Sequence, residues 1–200
     1  MQHILNDVFK SMTDQIVSEM GQKIGLNTAM TRSLIEEAVP SIIGGLAHNA
    51  KKKEGAEALT QALKKDHDGS ILDKITDLVK DPEQFNASKM LGHILGNKES
   101  MLTQMIGNNL KMDSSTVQTG LKVLAPIIMG KLGKHLSQNG LSAGDLQKTL
   151  KVARKDAKKG NKANALLISF LDKDGDGDVK DDLFKVAMKG AKKWMSRKKA

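Results

Sequence analysis

Val39-Pro40-Ser41-Ile42-Ile43-Gly44-Gly45-Leu46 and Ala125-Pro126-Ile127-Ile128-Met129-Gly130-Lys131-Leu132 lie 86 residues apart and are variants of one segment. Pro40, Ile42, Gly44 and Leu46 recur unchanged as Pro126, Ile128, Gly130 and Leu132. The same offset places Ile16, Met20, Gly21, Ile24 and Leu26 on Leu102, Ile106, Gly107, Leu110 and Met112, and Ile35 on Leu121. It also places Asn27-Thr28 on Asp113-Ser114, and all of these side chains can cap a helix N-terminus. An offset that carries caps, proline, glycine and apolar positions together implies two copies of one helical unit, roughly 12–65 and 98–150. Each Pro-centred segment is apolar on most sides. The two are expected to bury against each other, because a repeat that cannot cover its own apolar face needs a neighbour.

Outward from this pair the apolar spacing is helical. Ile4, Leu5, Val8, Phe9, Met12, Ile16, Val17 and Met20 predict one amphipathic helix from Ile4 to about Ile24. A second starts at Asn27 or Thr28 and reaches Pro40, where the ring should break it, kink it or open a new helix. Further helices are expected over 57–65, 71–79, 89–95 and 164–171, with a turn at Asp81-Pro82-Glu83 and another at Gly160-Asn161. Gly92 and Gly96 have the spacing of a close-packing pair. The fold class is all-α: a compact helical domain built from two related helical repeats, with short helices separated by Pro and Gly breaks. The first repeat with its acidic turn (66–73) occupies 1–97, and the second with its Asp-rich loop (172–182) occupies 98–183. A basic amphipathic helix and tail fills 184–200, the whole forming one integrated globular domain.

Composition agrees with helices packed closely on small residues. Hydrophobic content is 39% and aromatic content only 2%. Eleven flexible Met side chains help to fill the core. There is no Cys, so disulfides are excluded. No basic-then-apolar leader opens the chain, and no apolar run has the length of a membrane span, so a cytoplasmic location is expected. A net charge of +9 favours anionic partners and solubility.

The one run with a specific chemical reading is Asp172-Lys173-Asp174-Gly175-Asp176-Gly177-Asp178-Val179-Lys180-Asp181-Asp182. Asp172, Asp174 and Asp176 fall at positions 1, 3 and 5 of a calcium loop, with Gly177 at 6 for the sharp turn, and Asp178 at 7 would offer its carbonyl. Position 12 is Leu183 where a bidentate Glu is required, so Asp181 or Asp182 must stand in. This describes a shortened EF-hand-like or dockerin-like loop, and Ca2+ is the cation it would take. Asp66, Asp68, Ser70 and Asp73 form a fainter copy, with Lys64 where Asp172 stands. The competing reading is that both are helix-linking turns: Ser70 to Asp73 and Asp178 to Asp181 have capping-box spacing, and Asp-Gly pairs turn unaided. Four acids at alternate positions, however, repel one another without a cation.

The Val39–Leu46 and Leu124–Gly130 segments, together with Leu91-Gly92-His93-Ile94-Leu95-Gly96-Asn97 and the Asp-His-Asp-Gly and Asp-Lys-Asp-Gly-Asp-Gly runs, resemble the bacterial YidB-like family, domain of unknown function 937. The resemblance covers nearly the whole chain. It implies an all-helical bacterial cytoplasmic protein with no established activity, and it carries over no catalytic residue.

No enzyme is indicated. The five His have no zinc spacing, Gly92 to Ser100 lacks the spacing and preceding strand of a phosphate loop, and there is no serine elbow or dinucleotide turn. Two functions remain. One is a non-enzymatic module whose Asp loop binds Ca2+, as a fixed structural element or as a switch of Phe184, Met188 and Trp194. The other is a binder of anionic surfaces, nucleic acid or acidic lipid, through Lys189, Lys192, Lys193, Arg197, Lys198 and Lys199. A protein partner or self-association is compatible with both; no small-molecule substrate is indicated.

Overall fold

The computed structural model describes residues 4–172. The described residues form ten α-helices joined by short loops and 3-10 turns, with no strand. They are α1 (Ile4–Ser11), α2 (Asp14–Ile24), α3 (Thr28–Asn49), α4 (Lys53–Asp66), α5 (Ile75–Lys80), α6 (Ala87–Leu95), α7 (Glu99–Leu110), α8 (Ser114–Gln138), α9 (Ala143–Gly160) and α10 (Lys162–Asp172). The 3-10 turns are Ser70–Lys74, Pro82–Phe85 and Gly96–Lys98. The long helices α3 and α8 pack against each other at the centre, with α2, α6, α7, α9 and α10 around them. One apolar core runs through all of these elements.

The 86-residue offset reappears as geometry. Helices α2 and α7 each end in a left-handed residue, Gly25 at φ 72° and Lys111 at φ 56°. In both, the chain then turns back. Leu26 N–H donates to the Gly21 carbonyl at 2.8 Å, and Met112 N–H to the Gly107 carbonyl at 2.9 Å. A Cβ on Gly21 or Gly107 would lie 2.7 Å from the carbonyl oxygen of Leu26 or Met112. That contact is why glycine recurs there. Asn27 caps α3 by accepting from Met30 N–H at 2.9 Å; Asp113 occupies the matching position on α8 without a side-chain cap.

Two expectations about helix boundaries change. The first is the proline break. Helices α3 and α8 run continuously through Pro40 and Pro126. A proline in a helix interior costs about 3 kcal/mol, partly by removing the N–H due to the carbonyl four residues earlier. For Pro40 that carbonyl is Glu36, and it accepts instead from Asn164 Nδ2 on α10 at 3.2 Å. Leu34, Ile42, Ile43 and Leu46 are completely buried. Each such burial contributes on the order of 1.5–3 kcal/mol, and together they outweigh the penalty. The second change is at the N-terminus, where the single helix of 4–24 is two. Thr13 adopts ψ 162° and accepts from Ile16 N–H at 3.4 Å, so α2 starts afresh.

Close packing uses other glycines than Gly92 and Gly96. A Cβ at Gly92 or Gly96 would meet nothing within 4 Å. At Gly45 it would lie 2.9 Å from the Ile94 carbonyl oxygen, at Gly44 3.2 Å from Leu171 Cδ1, and at Gly120 2.6 Å from Leu34 Cδ2. Adjacent glycines of α3 therefore seat α6 and α10. A capping box does occur, at Ser142 and Asp145. Asp145 N–H donates to Ser142 Oγ and Ser142 N–H to Asp145 Oδ2, both at 3.2 Å, so each residue satisfies a backbone donor of the other.

Candidate functional site

Helix α10 carries the chain to the start of the Asp-rich run. Asn161 Oδ1 accepts from Asn164 N–H at 2.7 Å and turns α9 into α10. Leu167, Ile168, Phe170 and Leu171 bury the inner face of α10, which is described as far as Asp172. Three cations gather around Leu171 and Asp172. Arg154 Nη1 donates to Asp172 Oδ1, Lys158 Nζ to Asp172 Oδ2 at 2.7 Å, and Lys98 Nζ to the Leu171 carbonyl at 2.8 Å. The carboxylate that sequence spacing assigns to position 1 of a calcium loop is thus already held by two basic side chains. Asp174, Asp176, Asp178, Asp181 and Asp182 lie outside the described residues, as do Lys189, Lys192, Lys193, Arg197, Lys198 and Lys199.

The first-half copy is fully described. Asp66 ends α4, Asp68 and Asp73 are surface residues of the loop, and Ser70 opens a 3-10 turn with no side-chain cap. Ser70 N–H donates to Asp68 Oδ1 at 2.9 Å, and that bond holds the Asp68 carboxyl below the usual carboxylate range. Gly69, at φ 105°, lets the loop settle on α8, where the His67 carbonyl rests on Gly133 and Ile71 rests on Gly130. Burial pushes the His67 imidazole down, with Asp66 opposing. Among the described residues no group of three or more His, Cys, Asp or Glu is placed to hold a metal ion, so Asp66, Asp68 and Asp73 do not gather into such a group.

A trough beside this loop has no signature in the sequence. It is an open depression of about 890 Å³ between α4 and α6, over a floor from α3 and α8. Leu46, Leu59, Ile71, Phe85, Met90 and Ile94 supply its apolar surface. The lining comes from several separated stretches, so no local spacing could reveal it. Sequence reading also passed over Glu37, which is only 5% exposed. Burial raises its carboxyl pKa; the amide of Asn109, which donates to it, pulls the other way. At the 86-residue offset the matching residue is Val123, fully buried.

Two long proline-containing helices at the centre of an all-α bundle, each entered through a helix and a left-handed turn, define the class of protein. Residues 6–135 match the family described as bacterial protein of unknown function (DUF937), and the chain belongs to that family. No curated protein and no solved structure matches it. Among the described residues no helix is long and apolar enough to cross a membrane.

Proposed function

We propose that this protein is a non-enzymatic helical module that binds Ca2+ through the acidic loop 172–182. The spacing of the acids carries the reading: Asp172, Asp174 and Asp176, with Gly177 for the turn, follow directly on the residues of α10, in the order of a helix–loop calcium site. Arg154 and Lys158 must release Asp172, or share it, when the cation enters. The site is therefore weak, in the range of extracellular-type modules rather than cytosolic buffers. Calorimetric titration of the chelator-treated protein with CaCl2 tests this. A single site is expected, lost in Asp174→Ala plus Asp176→Ala. No heat and no rise in melting temperature would overturn the reading.

A second reading, binding to anionic surfaces through the Lys-rich tail, is favoured by α9. Its outer face exposes Lys151 and Lys155 beside Val152, which is 39% exposed. Lys148 and Lys159 on the same helix pair only loosely, at 4.0 and 3.8 Å, with Asp145 and Asp156. Deleting residues 190–200 separates the two readings. It should spare calcium binding and sharply weaken salt-sensitive binding to anionic vesicles or nucleic acid, leaving only what the α9 lysines contribute.

A further inference from the structure

We propose that the trough between α4 and α6 is a binding site for a single-chain, fatty-acid-type carboxylate, with its acyl chain along the floor and its head group between Lys74 and Lys89. The volume is about 890 Å³, which lies within the range of small-molecule sites. Helix α4 lines it from Gly55 to Asp66, a span of roughly 17 Å at about 1.5 Å per residue. An extended chain of roughly a dozen carbons has that length, each C–C bond of about 1.5 Å advancing a little less along the zigzag. Half-buried Leu59, Ile71 and Phe85 offer the chain apolar contact in a mixed lining, with Leu46, Met90, Ile94 and Met129 largely buried beneath. The two methionines can adjust to its path.

The lining residues define two ends. At one, Asn49 Nδ2 donates to the carbonyls of His93 and Ile94 at 3.0 and 3.1 Å, tying the end of α3 to the end of α6. At the other stand the 3-10 turns Ser70–Lys74 and Pro82–Phe85. The trough is open along its length, and its extent of about 17 Å along α4 suits one short acyl chain with a head group at one end. The wall formed by His67 to Ile71 is seated on Gly130 and Gly133 of α8, so the shape is set before any ligand arrives.

Charge selects the head group. Lys74 and Lys89 sit at the end with the 3-10 turns, both exposed, and neither makes an ion pair or hydrogen bond with a described residue. Among the described residues Asp66 is the one acid in the lining, against these two lysines. The Lys-rich end of the chain itself is repelled by the same pair, which disfavours it as the occupant.

The test is calorimetric titration of the full chain with sodium octanoate, decanoate and dodecanoate below their micelle concentrations, with dodecanol as the uncharged control. Affinity should rise about fourfold per added methylene. Lys74→Ala plus Lys89→Ala should weaken dodecanoate about tenfold and leave dodecanol unchanged. Ala62→Phe, which fills the trough from the α4 wall, should abolish both while the far-ultraviolet spectrum stays native. The proposal is overturned if dodecanoate fails to bind, if its binding survives Ala62→Phe in a folded protein, if affinity is independent of chain length, or if an acidic amphipathic peptide binds there and the carboxylates do not.

Discussion

Replacing Gly133 by alanine puts the seating of the 67–72 loop to a quantitative test. Gly133 lies inside α8, where alanine on its own would stabilise the helix by up to about 1 kcal/mol. The added Cβ would fall onto the His67 carbonyl oxygen, 2.7 Å from the carbonyl carbon and 3.1 Å from the Leu63 carbonyl oxygen. These are backbone atoms, so no rotamer change relieves the clash; the loop must lift from α8 or the helix must shift. Overpacking of this kind costs about 1–3 kcal/mol, sometimes more, and here the upper part of that range applies because backbone has to move. After the propensity gain a net loss of about 1–2 kcal/mol remains, a fall of about 2–8 °C in melting temperature for a chain of this size. Gly92→Ala is the opposite control. It lies in α6 with open space around the new methyl group, so it should raise the melting temperature by about 2–4 °C or less. Thermal and urea unfolding followed by far-ultraviolet circular dichroism measure both. A Gly133→Ala protein as stable as the parent, or two variants shifting in the same direction, would refute the close contact between loop and helix.

The Asn164 amide donates to the Glu36 carbonyl, and removing it in Asn164→Ala should cost about 1 kcal/mol. The cost should be less in a Pro40→Ala background, where residue 40 recovers an N–H for that carbonyl; a double-mutant cycle in urea reads the coupling. Glu37→Gln tests the buried carboxyl, whose pKa is raised. An acid whose folded pKa is raised binds its proton more tightly in the folded state, so its effect favours folding at low pH and is lost as pH rises from the ordinary carboxylate value through the raised one. The melting temperature of Glu37→Gln relative to the parent should therefore climb through that window and level off above it, as a series of melts from mildly acidic to mildly alkaline pH will record. If Asp172 is a calcium ligand, Arg154→Ala removes a competitor and should tighten calcium binding several-fold by calorimetry; weaker binding would place Arg154 as a support of the loop instead.

The helical class was legible because its signals are local. Period, caps and the glycine before each left-handed turn lie within a few residues of one another, and Asn27, Gly21 and Gly107 serve as their types suggest. No new helix opens at Pro40, and the compensation is remote: Asn164 reaches Glu36 across 128 residues of chain. Thr13 carried capping chemistry, yet the apolar period continues through Met12 and Ile16, and the period hid the break. Glycine spacing could not tell which pairs approach a neighbour, so Gly92 and Gly96 looked like packing residues while Gly44 and Gly45 did the packing. Of the acidic loops, Asp68 proved to be a turn residue and Asp172 an ion-pair partner. The trough was beyond reach because its walls meet only after folding.

The matched family segment ends at residue 135, within α8, yet α10 supplies the donor for the carbonyl that Pro40 strips of its partner, and its Leu171 lies over Gly44. The border of the recognisable sequence is therefore not the border of the cooperative folding unit. A chain cut at the end of the match would keep the signature of the family and lose the lid over its central helix. Limited proteolysis should accordingly release no stable fragment ending near residue 135, and amide exchange along α3 should report the loss of α10 first at the turn around Pro40.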